Sequence, residues 1–211
     1  RIERMKEKII LLNPPLPPGL PGVIRDFYCS FSTKADYYWP PQDLVAFSGI
    51  LREGYDLEII DAVARGLSRE RCLEIIRKIP AAAVLFSTGS VSLSSDIDLA
   101  YAIKEQKKVK LIASSSLFHF RGESFQQKYP FLDAVVGDMA DTSPLEGVLD
   151  GEYIRGPKEG EFSLGRPQYE HFIGRGRAFP FFGGDRFAVV VSSSGCRFCC
   201  SFCVAGMYKI R

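Results

Sequence analysis

The stretch SSSGCRFCCSFC, residues 192–203, places four of the chain's six cysteines within eight positions. In a reducing compartment such a cluster reads as metal-binding or catalytic before it reads as disulfides. Spacing separates three ligand schemes. A zinc ribbon needs two CxxC knuckles held well apart, whereas Cys196-Cys199 and Cys200-Cys203 abut, and four thiolates from so short a segment close awkwardly into a tetrahedron. The ferredoxin spacing CxxCxxC requires a thiolate at position 202, which is Phe202. The third scheme takes Cys196, Cys200 and Cys203 as CxxxCxxC. Three thiolates leave one iron of a [4Fe-4S] cube without a protein ligand, and an open coordination position is where catalytic metal sites bind substrate.

A run of apolar residues, RFAVVVSS at 186–193, predicts a buried strand leading straight into the cysteines. The spacing, that strand and the Gly195-Cys196 turn together resemble the signature of the radical S-adenosylmethionine (radical SAM) superfamily. The resemblance implies that Cys196, Cys200 and Cys203 hold a [4Fe-4S] cluster and that the main chain of Phe202 contacts the adenine. It also implies that S-adenosylmethionine chelates the open iron through its amino and carboxylate groups, and that the reduced cluster splits its sulfonium to a 5′-deoxyadenosyl radical. Cys199 is then a bystander. Ser194 stands where the family usually has arginine, with no consequence for cluster assembly.

The elements ahead of the cluster alternate. KIILL (8–12) predicts strand one, ended by Asn13-Pro14-Pro15, because proline cannot continue a central strand. Leu44, Phe47, Ile50 and Leu51 recur at helical spacing up to Gly54, and YDLEIID (55–61) predicts strand two. Ser68 can cap a helix bearing Cys72, Leu73, Ile76 and Ile79, and AAVLFS (82–87) is strand three. A helix over about 95–106 carries Asp96 and Asp98 in its first turn and lysines at its end, as the helix dipole favours. VKLIA (109–113) and DAVVG (133–137) complete five strands. Ser143-Pro144-Leu145-Glu146 has capping-box spacing with proline at the first helical position. Five alternations with short connections predict one parallel, doubly wound α/β domain over 1–150, whose ligands lie beyond the carboxyl ends of the strands. Residues 151–185 read as a linker, and 186–211 as the start of a second, truncated domain comprising the first strand and cluster loop of a radical SAM barrel.

A flavodoxin-like sheet ahead of CxxxCxxC resembles the cobalamin-binding radical SAM enzymes. Asn13-Pro14-Pro15 after strand one, the Pro41-x-x-Leu44 helix opening, Asp61 closing strand two, the Ser/Thr loop after strand three, and Asp133-Ala134-Val135-Val136-Gly137-Asp138 carry the likeness. It implies a cobalamin resting on loops that contain Asn13, Pro14, Ser87, Thr88, Gly89, Ser90, Ser92, Leu93, Ser114, Ser115, Ser116, Gly137 and Asp138. The segment Ser90-Val91-Ser92-Leu93 would meet its nucleotide tail. The chain departs from the family at Ser114-Ser115-Ser116, where many relatives carry Gly-Gly; the close approach that glycine permits is withdrawn, although serine hydroxyls can bond phosphate or amide groups. Its Gly137-Asp138-Met139-Ala140-Asp141 replaces Gly-Glu-x-Glu. A lower-ligand loop of the Asp-x-His-x-x-Gly type needs Asp two places before a histidine, and Leu117 and Tyr169 stand before His119 and His171, so no histidine is expected on the cobalt.

Composition narrows partners. With 46% hydrophobic and 25% charged residues and no long apolar stretch, a cytoplasmic protein without a membrane span is expected. A net charge of +2 lacks the basic stripe of nucleic-acid binders, and the compact spot at Gly174-Arg175-Gly176-Arg177 reads as a solvated loop. Cys72 reads as a core residue and both histidines as structural or surface groups. No Gly-x-Gly-x-x-Gly or Gly-x-x-x-x-Gly-Lys is present to cradle a dinucleotide or nucleoside triphosphate. The resemblance implies a methyltransferase or ring-forming enzyme acting on an unreactive carbon of a small molecule or lipid, reduced by an external donor such as flavodoxin or ferredoxin. Two other readings stand beside it: a radical SAM enzyme with a degenerate, non-corrinoid front domain, and a non-catalytic cobalamin-binding module.

Overall fold

The computed structural model describes residues 6–25, 30–31, 38–119, 121–150, 154, 165–172, 187–191, 196–198 and 200–201. In chain order the elements are β1 (Lys8–Asn13), β2 (Ile24–Arg25), β3 (Ser30–Phe31), α1 (Gln42–Leu51), β4 (Asp56–Asp61), α2 (Arg69–Lys78), β5 (Ala83–Ser87), α3 (Leu93–Gln106), β6 (Lys110–Ser114), α4 (Gly122–Lys128), β7 (Ala134–Val136) and α5 (Ser143–Glu146). Short 3₁₀ turns occupy Ser116–Phe118 and Tyr169–His171.

The five predicted strands form one parallel sheet in the order β4-β1-β5-β6-β7, while β2 and β3 pair as a separate small antiparallel hairpin. This is the flavodoxin-like order. The apolar run of β1 is explained by its central place, since a parallel strand covered by helices on both faces has no solvent side on which to put polar residues. Ile9 and Leu11 enter the core with Leu44, Phe47 and Ile50 of α1; Ile10 and Leu12 enter the opposite core with Ile76 of α2 and Ile103 of α3. Each such side chain contributes roughly 1.5–3 kcal/mol by leaving water.

Ser68 caps α2 as predicted, its hydroxyl accepting from the Arg71 N–H at 3.2 Å. Cys72 is fully buried in the α2 core, and burial pushes its thiol up to about 12. The cap of α5 falls one residue earlier than the capping-box reading: Thr142 is the N-cap, and the Ser143 hydroxyl donates to Asp141 Oδ1 at 2.6 Å instead of serving the helix. Asp141 Oδ1 accepts from both the Ser143 N–H, at 3.1 Å, and the Ser143 hydroxyl, a local turn that fixes the entry to the helix.

One expectation is corrected. Residues 187–191 carry no strand pairing, and Val190 is 70% exposed. A barrel strand is buried by neighbouring strands, and none pairs with this segment among the described residues; 186, 192 and 193 lie outside them. The span read as a linker is in part packed. All ten residues of α1 are buried, because 165–172 crosses its outer side. Gln168 N donates to Ser48 Oγ at 2.9 Å, Arg52 Nη1 donates to Arg166 O at 2.9 Å, and Phe172 joins the α1 core.

The crossing depends on two glycines. Gly165 has φ +62°, and a Cβ there would lie 2.7 Å from Gly49 O. Gly165→Ala is expected to lower the unfolding free energy by at least about 2 kcal/mol, combining left-handed strain with a backbone clash. Gly66, at φ +58° with nothing within 4 Å, is the control, and its alanine variant should lose only about 1 kcal/mol. Urea midpoints of the two variants check this; equal losses would mean that the Gly49 contact is unimportant.

Candidate functional site at the carboxyl edge

Strand order reverses between β1 and β5, so the loops leaving them diverge and leave a crevice at the carboxyl edge. Asn13 and Asp61 end β1 and β4 as register partners. Asn13 Nδ2 donates to Asp61 Oδ1 at 2.9 Å, the Ala64 N–H donates to the same oxygen at 2.9 Å, and the Tyr38 hydroxyl donates to Asp61 Oδ2. Burial raises the Asp61 carboxyl above its usual range, opposed by those donors and by the Arg25 charge. Burial, then the Asp61 charge, raises the Tyr38 phenol.

The crevice itself holds Arg25. Its Nη1 donates to Asn13 Oδ1 and Pro14 O, both at 3.0 Å. Its Nη2 donates to Pro15 O at 3.0 Å and to Asp96 Oδ1 at 2.7 Å. Its Nε donates to Asp96 Oδ2 at 2.9 Å and Ser92 Oγ at 3.2 Å. Both side chains of the Arg25–Asp96 ion pair are 1% exposed. Asp96 Oδ2 also accepts from Thr88 Oγ1 at 2.8 Å and Ser92 Oγ at 2.7 Å. The sequence explains why a cation settles here. Prolines 14 and 15 have no N–H, so the loop after β1 offers carbonyls without competing donors. Asp96 stands in the first turn of α3 as expected and is also the counter-ion, whereas Asp98 falls beyond that turn.

Over β5, β6 and β7 the arrangement differs. Ser87 and Ser114 are register partners and lie on the α1 side of the sheet. Ser87 Oγ donates to Asp43 Oδ2 at 2.8 Å, and Asp43, in the first turn of α1, is 2% exposed. Ser114 Oγ is fully buried and has no hydrogen-bond partner among the described residues. Ser115 Oγ accepts from the Leu117 N–H at 3.3 Å, and Asp138 Oδ1 from the Ala140 N–H at 2.9 Å. Gly137 is pressed on the neighbouring loop: a Cβ there would lie 2.5 Å from His119 N. Gly89 is buried and Ser90 exposed, while Leu93 and Ser116 are partly covered. Leu16, Val91 and Leu117, 36%, 43% and 38% exposed, give the loops after β1, β5 and β6 an apolar rim.

The fit of a corrinoid follows from this division. Asn13, Pro14, Thr88 and Ser92 are brought together as expected, but their polar groups are engaged by Arg25 and Asp96. The polar groups between β1 and β5 are thus already paired with one another before any nucleotide tail arrives. The unpartnered Ser114 hydroxyl and the apolar rim suit a large amphipathic group over β5, β6 and β7, and there the residues fit. Arg25, Tyr38 and Asp43 were missed by the sequence reading. The bare prolyl carbonyls and a first-turn aspartate hint at a buried cation, but nothing in the sequence selects which arginine supplies it.

Of the residues expected at a cluster, Cys196 is partly covered and Cys200 exposed; Phe202 and Cys203, with the neighbouring Cys199, lie outside the described residues. The Phe198 N–H donates to Cys196 Sγ at 3.5 Å, and the Arg197 guanidinium lies 5.3 Å from the Phe198 ring centre. Gly174 to Arg177 also lie outside the described residues. Among the described residues, no helix is long and apolar enough to cross a membrane.

Asp96→Asn keeps the shape of the carboxylate and removes its charge, leaving a buried guanidinium uncompensated. A loss of about 3–5 kcal/mol is expected. Asp98→Asn, on the exposed side of α3, should stay within about 0.5 kcal/mol of the parent. Urea unfolding of both variants checks the contrast.

Compared with known proteins, the chain matches no family model and no curated sequence.

Proposed function

We propose that the chain belongs to a cobalamin-dependent radical SAM enzyme, of methyltransferase or ring-forming type, acting on an unreactive carbon of a small molecule or lipid. The reading rests on one combination: a CxxxCxxC motif following a parallel sheet in flavodoxin-like order. When bound, the [4Fe-4S] cluster with S-adenosylmethionine supplies a hydrogen-abstracting radical, and cobalamin supplies a methyl carrier. Cys196, Cys200 and Cys203 are the proposed cluster ligands, with Phe202 at the adenine. In the front domain, Ser114 and Ser115 would hydrogen-bond amide or phosphate groups of the corrinoid. Leu117 and Val91 would cover its apolar face. Asp43, holding Ser87, would fix the floor beneath it. Electrons would come from an external flavodoxin or ferredoxin.

A second reading is favoured by a specific observation. Arg25 fills the crevice where a tail would enter, which suits a radical SAM enzyme whose front domain binds no corrinoid. Absorption spectra of anaerobically purified protein separate the two. Corrinoid and iron-sulfur bands together support the first reading, and iron-sulfur bands alone support the second. A corrinoid without iron or sulfide would instead indicate a cobalamin-binding module.

Alanine replacement of Cys196, Cys200 or Cys203 is expected to abolish the reconstituted cluster in the full-length enzyme, whereas Cys199→Ala retains it. Iron and sulfide counts after anaerobic reconstitution test the assignment. A cluster that survives Cys200→Ala and is lost in Cys199→Ala would overturn it. In the corrinoid-loaded protein, electron paramagnetic resonance of cobalt(II) should show no nitrogen splitting from a histidine.

A further inference from the structure

The crevice at a strand-order reversal is where doubly wound sheets ordinarily bind ligands, commonly phosphates held by backbone N–H groups at a helix start. Here the polar groups turned toward it are of the opposite kind. Asp96 presents both carboxylate oxygens, Asn13 its amide oxygen, Pro14 and Pro15 their carbonyls, and Ser92 a hydroxyl that donates to Asp96 and so offers Arg25 only its lone pairs. Every contact is an acceptor, and the set carries a negative charge. A planar fork of five donors matches such a set; a phosphate would face oxygens on all sides.

We infer that the switch-point crevice is a guanidinium receptor, filled by the chain's own Arg25, and that it refuses the anionic groups doubly wound sheets usually take there. Arg25 acts as a tethered ligand. It arrives on the β2–β3 hairpin and ties that hairpin to the loops after β1 and β5 and to the first turn of α3. Any anionic ligand of this crevice would have to displace Arg25 from Asp96. The inference concerns the receptor alone and stands whether or not a corrinoid binds.

Two measurements on the full chain test it. In the native protein, the Nε–Hε proton of Arg25, identified by its loss in Arg25→Lys, should exchange slowly with water and keep its chemical shift in millimolar inorganic phosphate. Fast exchange like that of an exposed arginine, or a phosphate-dependent shift, would overturn the inference. Arg25→Ala should lower the thermal midpoint by roughly 10 °C. Millimolar ethylguanidinium should restore part of that loss, and sodium chloride at equal ionic strength should not. Arg25→Lys should resemble the alanine variant without ethylguanidinium, because an ammonium cannot reproduce the fork. Equal recovery with sodium chloride, or an unchanged midpoint in Arg25→Ala, would sink the idea. Should that variant fail to fold, the native-state exchange and phosphate measurements decide alone.

Discussion

A buried guanidinium is costly to remove from water, and it persists where a carboxylate and enough acceptors replace its hydration. Arg25 and Asp96 meet that requirement, and the carboxyl edge of the sheet is organised around the result. One planar group holds the loop after β1 through Asn13, Pro14 and Pro15. It holds the first turn of α3 through Asp96 and the loop after β5 through Ser92, while Thr88 joins by way of Asp96. Asn13 passes the constraint on to Asp61, and so to the end of β4 and to Tyr38. Bidentate geometry matters here because a fork fixes direction as well as distance.

The edge therefore has two halves of different chemistry. From β4 to β5 the polar groups of Asn13, Arg25, Tyr38, Asp61 and Asp96 satisfy each other. From β5 to β7 the Ser114 hydroxyl is buried without a partner among the described residues, beside a buried carboxylate on α1. An unmet hydroxyl in a well-packed interior costs about 1–3 kcal/mol. A site that tolerates such a cost is better explained by a ligand or ordered water than by packing, because alanine would fill nearly the same volume without it.

What was legible in the sequence was whatever periodicity and punctuation control. The β1 run, the Ser68 cap and the five-strand alternation reflect local rules, and the sheet order then follows from short connections. The β2–β3 hairpin escaped because its strands are only two residues each, too short for any period to show. The packing of 165–172 on α1 escaped for another reason. It depends on Gly49 and Gly165 meeting across more than a hundred residues, and a glycine in a helix with no φ requirement gives no sign of what crosses it. The Arg25 site combines both difficulties: a tertiary pairing seventy-one residues apart, made by a residue type that sequence reasoning places on surfaces.

The same coverage of α1 bears on where the cysteines sit. After crossing α1, the chain returns to that face: Phe187 packs at 6.0 Å from Trp39, and Val191 lies against the α1 core. Five chain steps lead from Val191 to Cys196, and a chain reaches at most about 3.6 Å per step, so Cys196 lies within about 18 Å of Val191. The α1 side is also the side on which Ser87, Ser114 and Asp43 gather. The half of the carboxyl edge with an unmet polar group and the start of the cysteine motif are thus tethered to one face of the sheet. The Arg25 group reaches α3 through Asp96, while Asn13 and Asp61 share the strand side of Ile9, Leu11, Leu57 and Ile59. A group bound over β5, β6 and β7 would lie on the side from which the cysteine segment emerges, and the Arg25 receptor closes the crevice through which it could slip toward the other face.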